Sequence, residues 1–122
     1  MERATRLVIK LATGITDAER VSQAFTVAST ALASGVDVSF WLAGEAAWLA
    51  LPGKADEFLL LHAAPISETL VSLLENGSVT LCSQCAVRRN ISDGDQISGI
   101  RIAGATSFVE EILRERTQAL VY

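Results

Sequence analysis

Short apolar runs alternate along the chain with longer segments whose apolar residues recur at three- and four-residue spacing. Residues 7–12 (LVIKLA) make a mostly apolar run ending at Thr13-Gly14, as suits a parallel strand covered on both faces. Thr16 and Glu19 stand three apart, as a capping box requires, and the next segment places Val21, Ala24, Phe25, Ala28 and Leu32 on one helical face. Gly35 supplies a left-handed stop. Residues 37–43 (DVSFWLA), β-branched and aromatic, read as a second strand with Gly44-Glu45 at its C-terminal end. Residues 46–51 suit a short helix that Pro52-Gly53 breaks. Between 54 and 64 the pattern is ambiguous, because Phe58-Leu59-Leu60-Leu61 fits a helix, a short strand or a buried connection. A helix beginning at Pro65 and Ser67 turns Ile66, Leu70, Leu73 and Leu74 inward and closes at Asn76-Gly77. Residues 79–82 form a third strand, 99–103 (GIRIA) a fourth and 119–122 (ALVY) a last short one, with a polar turn at Ser92-Asp93-Gly94-Asp95. Ser107 and Glu110 offer a second capping box, for a helix with Val109, Ile112 and Leu113 on its apolar side and Arg114 and Arg116 near its negative end.

Strands alternating with helical patterns imply βαβ units, right-handed crossovers and a mostly parallel sheet. The expectation is an α/β, Rossmann-like three-layer sandwich of about five strands, filling residues 1–122 as a single domain with no linker or repeat. Ligands in such sheets bind beyond the carboxyl ends of the strands. That edge should gather Thr13-Gly14, Gly44-Glu45, residues 82–85 and Gly104-Ala105.

Composition narrows the function classes. Half of the 122 residues are apolar and only 20% are charged. A domain this size buries roughly two-thirds of its unfolded surface, so it needs no staple. The surplus of apolar residues predicts a sheet buried on both faces and apolar surface buried between subunits. Net charge is −4 and the one basic tract is Arg88-Arg89, which argues against nucleic acid or an anionic membrane as the main ligand. No apolar run approaches the roughly 18 residues of a membrane span, and the N-terminal residues lack a signal-peptide pattern. The expected location is the cytoplasm.

Both cysteines lie in one stretch, SVTLCSQCAVRRN, where the third strand runs into a polar turn and a helix start. In a reducing compartment such a pair points to reactive, redox or metal chemistry rather than to a structural disulfide. A helix beginning near Cys85 would point free N–H groups at Cys82, and Arg88 and Arg89 would add positive potential, both lowering a thiol's pKa. Four readings compete: inert packing thiols, a zinc site, thioredoxin-type exchange, and a cysteine that carries a sulfur atom. One CxxC with His62 makes only three metal ligands, so no metal is expected. The CxxC follows the third strand, not the first as in thioredoxins. His62, beside an apolar run, reads foremost as a structural histidine. Glu45 and Gly14 sit at strand ends where they would line the site. No GxGxxG or GxxxxGK[ST] is present, so no nucleotide cofactor is implied. Trp41 and Trp48 read as core or subunit-interface residues, and Asp93 and Asp95 as solvated turn residues.

The whole chain resembles the DsrE/DsrF-like family, which includes the TusD-type sulfur-relay proteins. The resemblance runs through LVIKLATG with ITDAERVSQAFTVASTALASG, continues in VSFWLAGEAAWLAL, and is most specific in CSQCAVRRNI. TusD-like members carry a cysteine six residues before a similar Arg-Arg, the spacing of Cys82 to Arg88. Many short DsrE-like proteins have a CxxC there, as this chain does. The resemblance implies a small Rossmann-like subunit in a homo-oligomer, a trimer or hexamer. It also implies a sulfur-carrier or sulfurtransferase-like role without cofactor, between sulfur donor and acceptor proteins. Cys82 then accepts sulfur as a persulfide, and Cys85, which has no TusD counterpart, either resolves that persulfide or packs. A thiol-disulfide redox protein using both cysteines and a non-catalytic oligomeric binding module are the alternatives. A peroxiredoxin-like role lacks its Thr-x-x-Cys arrangement.

Overall fold

In the computed structural model, which describes residues 3–122, five strands form one sheet in the order β4-β3-β2-β1-β5. The strands are β1 (Arg6–Leu11), β2 (Asp37–Leu42), β3 (Ser78–Cys82), β4 (Arg101–Ala103) and β5 (Thr117–Val121). The helices are α1 (Ala18–Ala33), α2 (Ile66–Asn76), α3 (Ser83–Arg88) and α4 (Ala105–Ile112), and two 3₁₀ segments span Gly44–Ala50 and Ala55–Glu57. Every strand pair is parallel. Parallel neighbours need crossovers, so all five strands end on the same side of the sheet.

The two faces of the sheet are built differently. On one face, Ile9, Leu11, Val38, Phe40, Leu42, Val79 and Leu81 are buried in the main core. α1 supplies Val21, Ala24, Phe25 and Ala28 to this core, and α2 supplies Ile66, Leu70 and Leu73. Phe25 and Phe40 meet with ring centroids 4.7 Å apart. Leu74, expected inward, is only partly buried against this core. Gly35 has φ +80 just after α1 and provides the expected left-handed stop.

The opposite face is covered by α4. In-register pairing sets Lys10 of β1 beside Trp41 of β2 and Val121 of β5. Phe108 of α4 packs edge-on to Trp41 at 5.3 Å, and the Lys10 ammonium lies 4.7 Å from the Phe108 ring centre. The deepest α4 side chain is a carboxylate, Glu111, 3% exposed. It accepts hydrogen bonds from Ser39 Oγ and Trp41 Nε1, pairs with Arg101, and lies 3.8 Å from Arg6. Arg101 also donates to Thr80 Oγ1 at 2.7 Å, and Arg6 pairs with Asp37 at 2.6 Å. A buried carboxylate is tolerable only when so partnered.

Several local expectations are corrected. Neither capping box forms. α1 starts at Ala18 after Asp17, and α4 starts at Ala105 after Gly104, with no side-chain bond at either N-cap and with Ser107 inside the helix. Val109 and Leu113 face outward, because α4 presents Phe108 and Glu111 to the sheet. Residues 54–64 form a single short 3₁₀ turn and an irregular loop in which Leu59 and Leu61 are exposed and His62 adopts φ +60. β4 is shorter than expected, and β5 starts two residues earlier.

Replacing Glu111 with Ala removes the charge partner of Arg101 and the acceptor of the Ser39 hydroxyl. Arg101 is half exposed and Arg6 keeps Asp37, so the expected loss is about 2–3 kcal/mol, at or below the lower end of the roughly 3–5 kcal/mol for breaking a buried pair. Urea unfolding of Glu111→Ala and Glu111→Gln checks this, with Gln losing less because it still accepts from Ser39.

Candidate functional site

The C-terminal edge of the sheet brings the expected segments together. β3 ends at Cys82, which is extended (φ −61, ψ 123) and forms the N-cap of α3. The helix therefore begins at Ser83, earlier than the sequence suggested. Cys82 is half-buried and Cys85, one helical turn on, is buried; both are free thiols. The β2 end closes on them: the Gly44 N–H donates to Cys85 Sγ at 3.1 Å. Gly44 has φ +51, and a β-carbon there would overlap the carbonyl oxygen of Ala12, so only glycine permits this approach. Likewise a β-carbon on Gly14 would lie 2.6 Å from the Glu45 β-carbon, and one on Gly104 would lie 2.9 Å from Ser83 Oγ. Four strand-end turns are thus packed against one another around the two cysteines.

The two arginines part ways. Arg89 folds back, donating from Nε to Glu45 at 3.1 Å and from a terminal nitrogen to the Cys85 carbonyl at 3.1 Å. Glu45 also accepts from Trp48 Nε1 at 2.8 Å. Arg89 and Glu45 therefore tie the start of the 3₁₀ segment to the end of α3. Arg88 is exposed beside Val87, itself 74% exposed, on the outer side of α3. A cavity of about 410 Å³ opens between Gly14–Thr16, Glu45, Trp48 and Leu49, next to this tie.

The Cys82 thiol titrates below its ordinary value. Burial acts against the thiolate, but it is outweighed by the Cys85 N–H, the Cys85 thiol, the Gln84 N–H and the positive charge of Lys10. The cation acting on the thiol is therefore Lys10, not Arg88 or Arg89. Sequence reasoning passed over Lys10, although a lysine inside the apolar run LVIKLA is itself a signal: an ammonium in a covered parallel strand requires a partner.

His62 lies against α1, in a hollow with Glu19, Ser22 and Gln23, away from the cysteine turn. Trp41 is buried under α4, whereas Trp48 is 39% exposed at the cavity. Asp93 and Asp95 bond within their own turn, to Gln96 and to the Ser92 N–H. Among the described residues no three His, Cys, Asp or Glu side chains converge as metal ligands, and no helix is long and apolar enough to cross a membrane.

An all-parallel five-stranded sheet with helices on both faces, and a partly buried free thiol where β3 meets α3, is a Rossmann-like α/β fold. Within it, this chain belongs to the DsrE/DsrF-like family, whose model matches residues 6–118. Its fold is shared with the ychN protein from E. coli (TM-score 0.77, 22% identity, all of both chains). It is shared also with MTH1491 of Methanobacterium thermoautotrophicum, a protein of unknown function (0.71, 12% identity, 96% of this chain and 98% of that one). A third neighbour is BT1422 of Bacteroides thetaiotaomicron, likewise of unknown function (0.65, 14% identity, 97% and 95%). No curated protein matches the sequence.

Because the folded Cys82 titrates below the unfolded thiol, it stabilises the fold most at alkaline pH, above the unfolded pKa. That contribution is lost as pH falls through the folded value. The rate of Cys82 alkylation by iodoacetamide against pH should show a midpoint below the roughly 8.5 of a free thiol. Lys10→Met should move that midpoint upward, while Arg88→Met leaves it in place.

Proposed function

We propose that this protein is a sulfur carrier of the relay type, with Cys82 as the acceptor. The observation that carries the reading is the joint state of Cys82: only partly buried, at the end of β3, and held towards the thiolate by N–H donors and Lys10. Membership of the DsrE/DsrF-like family supports a sulfur-relay role.

The chemistry is two thiol exchanges. The Cys82 thiolate attacks the outer sulfur of a donor persulfide. A bond forms between Cys82 Sγ and that sulfur, the donor's S–S bond breaks, and the donor leaves as a thiolate. An acceptor thiolate then attacks the outer sulfur of the Cys82 persulfide, and Cys82 leaves as the thiolate it was. The same donors that lower the thiol's pKa favour the departing thiolate, so loading and discharge draw on one arrangement. No cofactor takes part in either step. Arg89 and Glu45 hold the turn in shape, with Gly14 giving the close approach that places Glu45. The exposed Val87-Arg88 side of α3, beside Cys82, is where donor and acceptor proteins would dock. The exposed Val109, Leu113 and Val121 suit burial in a homo-oligomer, a trimer or hexamer, working in the cytoplasm.

The test is intact-protein mass spectrometry after anaerobic exposure to inorganic polysulfide. The expected result is a gain of one sulfur atom that Cys82→Ser abolishes. Loss of two hydrogens with no sulfur ever added, abolished by either cysteine substitution, would replace the carrier with a thiol-disulfide redox protein. No change at all would leave a non-catalytic binding module.

A further inference from the structure

The second cysteine is arranged for more than packing. Cys85 Sγ accepts from the Gly44 N–H at 3.1 Å, and its thiol is among the groups that hold the Cys82 thiol below its ordinary value. Residues three apart at a helix start are neighbours on one face, within the reach of a disulfide. A turn that only glycine can make brings a backbone N–H to the Cys85 sulfur and so fixes its position one helical turn from Cys82. A buried alanine at this position would leave the Gly44 N–H without its acceptor.

We propose that Cys85 is a resolving thiol, which discharges the Cys82 persulfide inside the protein when no acceptor arrives. This rests on the carrier reading of Cys82. In the step, the Cys85 sulfur attacks Cys82 Sγ. The bond between the two cysteine sulfurs forms, and the bond from Cys82 Sγ to its outer sulfur breaks. The outer sulfur leaves as hydrosulfide and takes up the proton released by Cys85, giving hydrogen sulfide. The sulfane sulfur is reduced to sulfide and the two thiols are oxidised to the disulfide, so no outside oxidant is consumed. A dithiol reductant restores the free thiols. An acceptor protein must then take the sulfur from the outer atom before Cys85 reaches the inner one, which makes the persulfide a timed state. A disulfide across the α3 start also withdraws Cys82 from further loading until it is reduced.

Fully reduced wild type, Cys85→Ser, Cys85→Ala and Cys82→Ser are loaded anaerobically with inorganic polysulfide, freed of excess reagent, and followed by intact mass and by released sulfide. Wild type should gain one sulfur and then lose it, ending two hydrogens below the reduced mass with one sulfide released per chain. Both Cys85 variants should hold the added sulfur at least tenfold longer and release no sulfide. Equal persulfide lifetimes in wild type and both Cys85 variants would overturn the resolving role and leave the carrier reading standing. Failure of the Cys85 variants to gain sulfur at all, in folded protein, would overturn both.

Discussion

Parallel pairing is the constraint from which the rest of this structure follows. A strand can lie parallel to its neighbour only if the chain crosses back over the sheet between them. Five such strands leave every strand-to-helix turn on one edge. The close approaches there, Gly14 to Glu45, Gly44 to Ala12 and Cys85, and Gly104 to Ser83, are the places where those turns touch. The cysteine pair is not inserted into a pre-existing cleft. It is one of the turns, and the neighbouring turns form its walls.

The two faces of the sheet divide the work. The α1 and α2 face holds an almost wholly apolar core, which fixes the sheet. The α4 face is thinner and partly polar. Its centre is the Glu111 carboxylate among Ser39, Trp41, Arg101 and Arg6, and Lys10 lies beside Phe108 on the same side. That asymmetry lets one strand, β1, contribute Ile9 and Leu11 to the core and a cation to the chemistry. The thiolate is favoured by backbone N–H groups of α3 and by a charge two strands away, so its titration depends on the fold as a whole.

Much of this was legible in the sequence, for identifiable reasons. Strands covered on both faces leave unbroken apolar runs, which marked β1, β2 and β3. A helix over a deep core has a wide apolar stripe, which marked α1 and α2. The gathering of Gly14, Gly44, Cys82–Cys85 and Gly104 at one edge followed from alternation alone. The errors share a different origin. On α4 the inward face carries a carboxylate, so an apolar-in rule turned Val109 and Leu113 the wrong way. The Ser/Thr-x-x-Glu spacings at Thr16 and Ser107 match a cap on paper, but the contacts between turns set where those helices start. Lys10 was missed because a run reads as apolar in spite of one charged member. The separation of Arg88 from Arg89 depended on Glu45, 44 positions away, which no local pattern shows.

Gly44 carries a consequence for how substitution data on this protein should be read. Its backbone conformation is unfavourable for any side chain, and the carbonyl of Ala12 occupies the space a β-carbon would need. A scan of every position would score it as intolerant as a residue that touches substrate. The intolerance would come from a missing atom: glycine serves there by leaving room for one amide to reach one sulfur. Sensitivity to replacement at Gly44 would therefore report on the shape of the backbone, and a map of contact residues drawn from such data would contain a position with no side chain to make contact.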